Sequence, residues 1–482
     1  MGRKKLRPLP SSPFPLELSP ETMRSMLQQA TEYIVAHTSS LSTQPMHATK
    51  GGRKLARSLV SAMPEQGVPF EKLFRKLFSQ VIPASLNTAS PGYLAYIPGG
   101  GIVHSAIADL IADATNRYVG VWIAAPGLAQ IEENVIQWFA SMLGMPKAAG
   151  GLLLTGGSLA NLIATITARR EKLPPDFLRG TMYTSEEAHH SVLKAALLAG
   201  ILPEHVRSIP SDDQFRIQGD ALRAAIREDR LAGKTPFLIV AHGGTTNTGA
   251  VDDLNQVADI AAAENCWLHV DAAYGGFFAL TERGRKTLAG IDRADSITLD
   301  PHKGLFLPYG TGCLIVRDRE TLRRAHAVPA AYMPPMQEER DLVDFCELGP
   351  ELSRDFRGLR VWLPFMMHGA SVFRDALDEK MDLARYAADE LRKIPDVEIV
   401  AEPQLSLLAF RLRTPGLSPA DEDARNRRWM SLVNQKQRVL LTGTTTQGRF
   451  LVRMCILSFR THRDRIDMAI EDLRTSREEL NE

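Results

Sequence analysis

The chain has few cysteines, almost no net charge and no long apolar stretch, and each of these shortages excludes a class of protein. Its 482 residues include four cysteines, which lie far apart and form no C-x-x-C pair. This spacing argues against a disulfide framework and against a structural zinc site, and it favours a reducing compartment. The 57 basic and 56 acidic residues give a net charge of +1, so no global field attracts nucleic acid or anionic lipid.

Targeting and membrane segments are also lacking. The basic residues 1–5 are followed by proline-rich sequence and not by the apolar core of a signal peptide. No uninterrupted apolar run is long enough to span a bilayer. We therefore expect a soluble, cytoplasmic protein with a loosely held arm over residues 1–20. A chain of 482 residues is too long for one compact core, so several lobes are expected.

Strand and helix patterns alternate between about residues 150 and 320. Short apolar runs bounded by glycine, proline or polar residues predict strands at 151–154, 237–241, 267–270, 296–299 and 313–316. Helical patterns cover 158–170 and 253–264, and either Asp252 or Asp253 is a plausible N-cap for the second. This alternation predicts an α/β fold with a mostly parallel sheet wrapped by helices.

The flanking regions have different patterns. Helical periodicity over 21–37 and 70–81 dominates the N-terminal part. After a helical region at 365–393, short strands are predicted at 397–400, 405–412, 438–441 and 450–456, followed by a last helix from about 463. We therefore predict an N-terminal helical segment over 1–90, a large α/β domain over 91–364 and a small α+β domain over 365–482.

Lys303 lies in Asp-Pro-His-Lys, in the connection between two predicted core strands. A lysine held away from bulk water can have a lowered pKa, which makes it a nucleophile toward carbonyl compounds and an anchor for a Schiff base. Taken alone, the position would also suit a loop lysine that reaches solvent, because most lysines are exposed. Residues at other strand ends favour the first interpretation.

Asp271 directly follows the predicted strand 267–270. A carboxylate at the end of a buried strand is costly unless it is paired, and ligands of open α/β sheets bind at that end. It could keep a pyridine nitrogen protonated, which an electron-accepting ring requires. It could equally cap the following turn.

Three other strand ends carry polar residues. Gly156, Gly157 and Ser158 precede a helix, where free N–H groups favour a phosphate or carboxylate, although the same residues make an ordinary capped turn. His189 could stack on a flat ring, bind a metal or cap a helix, but its surroundings supply no further metal ligands. The small residues of 243–249 leave room for a ligand or form a turn. The Walker and Rossmann patterns are absent from the 155–158 turn.

Two motifs make these signals specific. His269-Val270-Asp271-Ala272-Ala273-Tyr274 and Pro301-His302-Lys303 resemble those of the group II pyridoxal-5′-phosphate-dependent amino-acid decarboxylases, which include aromatic-L-amino-acid and glutamate decarboxylases. The resemblance runs from about residue 91 to residue 456. It implies pyridoxal 5′-phosphate as cofactor, decarboxylation of an L-amino acid to an amine and CO2, and no metal. It also implies the type I fold of pyridoxal-phosphate-dependent transferases, with a seven-stranded sheet, in a homodimer with shared active sites.

The resemblance also implies roles for individual residues. Lys303 would form the Schiff base with the cofactor, Asp271 would pair with the pyridinium nitrogen, and His189 would stack on the ring. Tyr332, the match to a tyrosine on the mobile loop of the family, would deliver the proton to the substrate. The other implied cofactor contacts are Gly157, Ser158, Asn161, Thr246, Ala273 and His302.

The substrate is less constrained. Tyr96, Ile97 and Trp122 match the substrate loops of the family and favour an aromatic or large apolar side chain, although such residues also build dimer cores. An acidic substrate would require an arginine, for which Arg117 is conceivable. An oxygen-using aldehyde synthase, which typically has phenylalanine at the position of Tyr332, an aminotransferase and a non-catalytic scaffold remain alternatives.

Three positions depart from the family pattern. Asp300 stands where an asparagine is common near the phosphate, and a second anion there would be repulsive unless it is paired or points away. Gly304 replaces a bulky residue of the aromatic branch, and Gly99 replaces a hydroxylated one. These departures concern contacts with substrate and phosphate.

Overall fold

The computed structural model describes residues 16–339 and 341–480, so most of the predicted N-terminal arm lies outside the described residues. The chain divides into two compact units, Met1–Tyr93 and Leu94–Glu482. The domain boundaries predicted after residues 90 and 364 remain predictions. None of the described helices is both long and apolar enough to cross a membrane.

Within the described residues, helices and strands alternate through most of the chain. The helices are α1 (Pro20–Ser39), α2 (Gly52–Leu59), α3 (Phe70–Lys76), α4 (Val103–Thr115), α5 (Pro126–Met142), α6 (Gly157–Lys172), α7 (His190–Leu198), α8 (Gly219–Leu231), α9 (Leu254–Ala263), α10 (Glu282–Thr287), α11 (Pro301–Gly304), α12 (Arg319–His326), α13 (Gly358–Leu391), α14 (Pro419–Gln435) and α15 (Arg463–Glu479). The strands are β1 (Gly150–Leu154), β2 (Gly180–Ser185), β3 (Val206–Ile209), β4 (Thr235–His242), β5 (Trp267–Asp271), β6 (Ser296–Leu299), β7 (Gly312–Val316), β8 (Val397–Ala401), β9 (Leu407–Leu412), β10 (Thr442–Thr446) and β11 (Arg449–Cys455).

The first unit is helical, as its periodicity predicts. Ser19 caps α1, since its side chain accepts a hydrogen bond from the backbone N–H of Thr22, and Pro20 occupies the first turn. The helix predicted over 70–81 is α3 continued by a π-helical turn, Leu77–Val81. Tyr33 of α1 stacks on Phe78 with ring centroids 5.1 Å apart, which joins the two helical segments.

A seven-stranded sheet forms the core of the second unit, in the order β1-β7-β6-β5-β4-β2-β3. β7 is antiparallel to both of its neighbours and the other pairs are parallel, which confirms the predicted mostly parallel α/β sheet. Strands β2 and β3 were not predicted from the sequence. β2 mixes threonine, serine and glycine with its apolar residues, and β3 is short and partly exposed, so neither shows a continuous apolar run.

The direction of the strands collects the candidate residues at one edge of this sheet. β2, β4, β5 and β6 run parallel, and β1 shares their direction because both β1 and β6 are antiparallel to β7. β3 is parallel to β2, so the carboxyl ends of six strands lie along one edge, where ligands of open α/β sheets bind.

The C-terminal part contains an antiparallel sheet in the order β10-β11-β9-β8, which packs against α14 and α13. α15 packs on these two helices. The strand predicted over 438–441 is wrong, because β10 begins at Thr442. Gln447 and Gly448 have φ of 47° and 70°, a conformation suited to a two-residue hairpin turn. This turn pairs Thr446 with Arg449, and the pairing continues from there to Thr442. The apolar residues 439–441 are buried but do not belong to a strand.

Candidate active site

A cavity of about 310 Å³ opens at the carboxyl edge of the large sheet. Its walls come from the ends of β1, β4, β5 and β6 and from the start of α6 and α7. They include every cofactor contact implied by the sequence. The lining residues are Thr155, Gly156, Gly157, Ser158, Leu159, Asn161, His189, Ser191, His242, Gly244, Thr245, Thr246, Asp271, Ala273, Tyr274, Asp300, His302 and Lys303.

Lys303 lies in the short helix α11 and points into this cavity, where its Nζ is 2.8 Å from Oδ2 of Asp300. Burial alone would lower the pKa of Lys303, but the charge and hydrogen bond of Asp300 outweigh it, and the pKa is raised. The expectation of a lowered lysine pKa is therefore wrong, because it considered burial without the neighbouring Asp300. Asp300 is 2% exposed and is paired, which resolves the repulsion that its charge would otherwise cause.

Asp271 ends β5 and is held as a carboxylate. Its Oδ2 accepts a hydrogen bond from Nδ2 of Asn161 at 2.9 Å, and its Oδ1 accepts one from the backbone N–H of Ala273 at 3.2 Å. Burial would raise the pKa of Asp271, but the charge of His242 and the hydrogen bond from Asn161 lower it below the ordinary value. The lowered pKa favours the ionised carboxylate that a cationic partner requires.

Asn161 organises the polar floor of the cavity. Its Oδ1 accepts hydrogen bonds from Thr298 at 2.7 Å and from Nε2 of His269 at 3.0 Å, so that its amide group is free to donate to Asp271 and to Ser191. All four bonds are buried. Such a satisfied network holds the carboxylate of Asp271 in one orientation.

His189 caps α7 and lies beside this network. Its Nδ1 is 2.7 Å from Oγ of Ser191 and accepts the backbone N–H of the same residue at 3.3 Å. An Nδ1 that accepts places the proton on Nε2 of a neutral ring. Burial also lowers the pKa of His189, so the side chain presents a flat, neutral surface to the cavity.

The predicted anion cradle is the turn before α6. No side chain among the described residues caps this helix, and the N–H groups of Leu159 and Ala160 donate to the carbonyl of Gly156, which leaves the N–H groups of Gly157 and Ser158 for an anion. A Cβ added at Gly157 would lie 3.1 Å from Oδ2 of Asp300 and 3.3 Å from Cβ of Ala273, so a larger residue here would require these neighbours to shift. His302 donates from Nδ1 to the carbonyl of Thr311 at 2.6 Å, which orients its ring.

The residues implied in substrate binding and proton delivery do not line this cavity. Tyr96 is 57% exposed and Tyr332 is 76% exposed, whereas Ile97 is buried and Trp122 is half-buried. The backbone N–H of Trp122 donates to Asp344 at 2.7 Å. A single chain therefore brings the candidate cofactor contacts to one cavity, whereas the four candidate substrate contacts lie outside that cavity, and two of them, Tyr96 and Tyr332, are exposed.

Two further residues at the cavity were not predicted as site residues. His242 ends β4 and lines the cavity. Asp252 was one of the two candidate helix caps, but it pairs with His242. Asp253 is the residue that caps α9. His242 has the same signal that identified Asp271, namely a polar residue directly after a buried apolar strand. No group of three or more histidine, cysteine, aspartate or glutamate residues within 16–339 and 341–480 is arranged to hold a metal ion.

The lining residues fit pyridoxal phosphate. The cavity holds a lysine for a Schiff base, a carboxylate for a ring nitrogen, a flat neutral imidazole and a glycine turn with open N–H groups. Two buried polar atoms, Oδ1 of Asp300 and Nε2 of His242, have no hydrogen-bond partner within the described residues. Unpaired polar atoms in a buried site are typical of one that is completed by a ligand.

Comparisons with known proteins agree with this fit. Residues 53–413 match the model of the pyridoxal-dependent decarboxylase conserved domain. The chain is 36% identical to an aromatic-L-amino-acid decarboxylase of Bacillus atrophaeus, over 97% of this chain and 98% of that protein. It is 27% identical to a phenylacetaldehyde synthase of Petunia hybrida, over 94% of this chain and 93% of that one.

Solved structures give the same result. The structure of Oryza sativa TDC with PLP and tryptamine superposes with a TM-score of 0.92 at 28% identity, and the match covers 98% of this chain and 99% of that one. The shared architecture is the type I fold implied by the sequence motifs. The chain therefore belongs to the pyridoxal-dependent decarboxylase family and is a pyridoxal-phosphate-dependent carboxy-lyase that acts on an amino acid.

Proposed function

We propose that the substrate is an aromatic L-amino acid, which the enzyme converts to the corresponding amine and CO2. The observation that carries the proposal is the cavity in which Lys303, Asp271 and His189 converge. The aromatic class is supported by the 36% identity to an aromatic-L-amino-acid decarboxylase over nearly the whole length of both chains. It is also supported by the similarity to a structure that contains tryptamine.

Each side chain of the cavity has a distinct task in this proposal. When bound, pyridoxal phosphate supplies the conjugated ring that accepts the electron pair left when CO2 departs. The Nζ of Lys303 would hold the cofactor covalently, and the lysine amine would be released from the cofactor when the amine of the substrate takes its place. Asp271, kept ionised by its surroundings, holds a proton on the ring nitrogen, and neutral His189 offers its flat face to the ring.

The phosphate group is assigned to the start of α6. Gly157 and Ser158 contribute backbone N–H groups at a helix N-terminus, where the helix dipole favours an anion. Thr246 and His302 line the same cavity as neighbouring polar contacts. Ala273 is small enough to leave the ring face accessible, and it is 8% exposed.

The substrate side of the site is assigned to a homodimer. α4 exposes Ile107 and Leu110, which are 48% and 51% exposed, and α13 exposes Met366 and Met367, which are 59% and 57% exposed. α4 and α13 pack together, and Nε2 of His104 on α4 lies 3.1 Å from Nε2 of His368 on α13, so we take the exposed apolar side chains of the two adjoining helices as one surface that a partner would cover. A second copy of the chain is the partner that we propose for this surface.

In this dimer, Tyr332 of one subunit serves the cavity of the other and delivers the proton to Cα. Its 76% exposure and its absence from the cavity of its own chain support a role across the interface. Tyr96, Ile97 and Trp122 are proposed to shape the substrate pocket at the same boundary. We also place the enzyme in the cytoplasm, a proposal supported by its four free cysteines.

The product distinguishes decarboxylation from its nearest alternative. The relative from Petunia hybrida is an aldehyde synthase, and in this family such enzymes typically carry phenylalanine at the position of Tyr332. We would incubate the pure protein and pyridoxal phosphate with each of the twenty amino acids and identify products by mass spectrometry. Amines from aromatic amino acids are expected. Aldehyde with ammonia and peroxide would overturn simple decarboxylation, and amines from another side-chain class would overturn the aromatic substrate.

A further inference from the structure

His242 is a buried polar residue that the tasks above do not use. It is the last residue of β4, is 2% exposed and lines the cavity. Its Nδ1 lies 3.2 Å from Oδ2 of Asp252, whereas its Nε2 has no hydrogen-bond partner within the described residues. A buried ring nitrogen without a hydrogen-bond partner costs stability, so the position of Nε2 requires an explanation.

Asp252 determines the tautomer of this histidine. Its carboxylate accepts hydrogen bonds from the backbone N–H groups of Ile217 and His242, both at 2.8 Å. A carboxylate that accepts from Nδ1 requires the proton of the ring on Nδ1. Nε2 is then a lone pair in the neutral ring and an N–H donor in the protonated ring.

Asp271 is the neighbour of His242 on the adjacent strand. The parallel register of β4 and β5 places the two residues directly opposite each other, and the N–H of Gly243 donates to the carbonyl of Asp271 at 2.9 Å. Residues opposite each other in a register project to the same face of a sheet. Both side chains line the cavity.

From this arrangement we propose that His242 is a positioning residue for Asp271. His242 lies opposite Asp271 in the strand register and lines the same cavity, and with its Nδ1 held by Asp252 it acts as the cationic neighbour of the carboxylate that binds the ring nitrogen of the cofactor. The inference rests on the cofactor assignment. It adds His242 and Asp252 as residues that act through Asp271 and not through contact with the substrate.

The electrostatics of the site agree with this role. Burial would lower the pKa of His242, but the hydrogen bond and charge of Asp252 more than offset it, and the pKa is raised. The charge of His242 is the largest of the effects that lower the pKa of Asp271. The titratable groups that act on His242 are Asp252, Asp271 and Glu187, all acidic, and the neighbouring His269 is neutral because burial lowers its pKa to about 4.

The test is the affinity for pyridoxal phosphate as a function of pH, measured from the absorbance of the bound cofactor in wild type and in His242→Gln. Without the cation the pKa of Asp271 rises, so this carboxylate becomes protonated as the pH falls. The ratio of the Kd of the variant to the Kd of wild type should therefore grow toward acid, by about tenfold between about pH 8.5 and pH 5.5. Groups that titrate equally in both proteins cancel in this ratio.

Asp252→Asn is the second variant, because it retains a hydrogen-bond acceptor but removes the charge that sustains the protonated ring. The ratio of its Kd to the Kd of wild type should also grow toward acid. If His242→Gln fails to fold, Asp252→Asn is used to test the proposal. His326→Gln is the control, since His326 bonds Thr167 outside the cavity, and its ratio should stay near one.

Ratios for both variants that do not change with pH would overturn the proposal and leave His242 a packing role only. Failure of the wild type to bind the cofactor at any pH would instead overturn the cofactor assignment.

Discussion

The two sides of the active site differ in how much of them one chain provides. On the cofactor side, Asp271 and Asp300 are 7% and 2% exposed and are held by hydrogen bonds or ion pairs within the same chain. On the substrate side, Tyr96 and Tyr332 are 57% and 76% exposed. One chain therefore organises the cofactor contacts, and the exposure of Tyr96 and Tyr332 supports the contribution of the second copy that we propose, although Ile97 on the same side is buried within its own chain.

The largest effect is expected at Lys303. Lys303→Ala should lower kcat by at least about a thousandfold, because no other described residue that lines the cavity carries an amine that could anchor the cofactor covalently. Amine production by the pure protein, saturated with pyridoxal phosphate, is the measurement. Lys286→Ala, which removes an exposed lysine paired with Glu282, should leave the rate unchanged. Substantial activity in Lys303→Ala would contradict the assignment of the anchor.

Asp271→Asn should reduce kcat by about a hundred- to a thousandfold, because a neutral amide no longer holds a proton on the ring nitrogen. The rate should be compared at equal cofactor content, determined from absorbance, so that binding and chemistry are separated. Asp295→Asn is the matched control, because Asp295 accepts the N–H of Leu268 at the opposite end of β5. Equal losses in both variants would point to a folding defect.

Substitution of Tyr332 tests most directly whether the substrate side of the active site depends on a second subunit. Tyr332→Phe should abolish most amine formation and divert product to aldehyde, and mixing it with Lys303→Ala should restore about a quarter of the wild-type activity. Half of the randomly assembled dimers contain one subunit of each variant. If Tyr332 acts across the interface, one of the two sites in such a dimer combines an intact Lys303 with an intact Tyr332, whereas neither site does so if Tyr332 acts within its own chain. Absence of any restoration after verified subunit exchange would place Tyr332 in its own chain's site or outside the mechanism.

A smaller effect is expected for Asp300→Asn. Asp300 raises the pKa of Lys303, so its neutralisation leaves burial as the dominant effect and lowers this pKa. At a pH below the lysine pKa, the fraction of neutral, nucleophilic lysine then rises about tenfold for each unit of decrease. The association rate of pyridoxal phosphate with the cofactor-free protein should therefore be faster in the variant, most clearly below about pH 9. A slower or unchanged rate would contradict the role of the ion pair.

Most of the cofactor side could be predicted from the sequence, because its signals are local. Lys303, Asp271 and His189 each follow a strand or precede a helix, and parallel strands bring their carboxyl ends to one edge. The core strands β1, β4, β5, β6 and β7 were predicted for the same reason, since each is a short apolar run. β2, β3 and β10 were missed or displaced because their residues are polar or their register depends on a turn.

The sequence by itself therefore determined the family, the cofactor and the order of the site residues along the chain. Only the tertiary structure decided which buried charges meet. Asp300 pairs with Lys303 and raises its pKa, and Asp252 leaves its predicted capping role to hold His242 beside Asp271. The physical reason is that a pKa depends on distances of a few ångströms between groups that are distant in sequence, and such distances are set by packing and strand register.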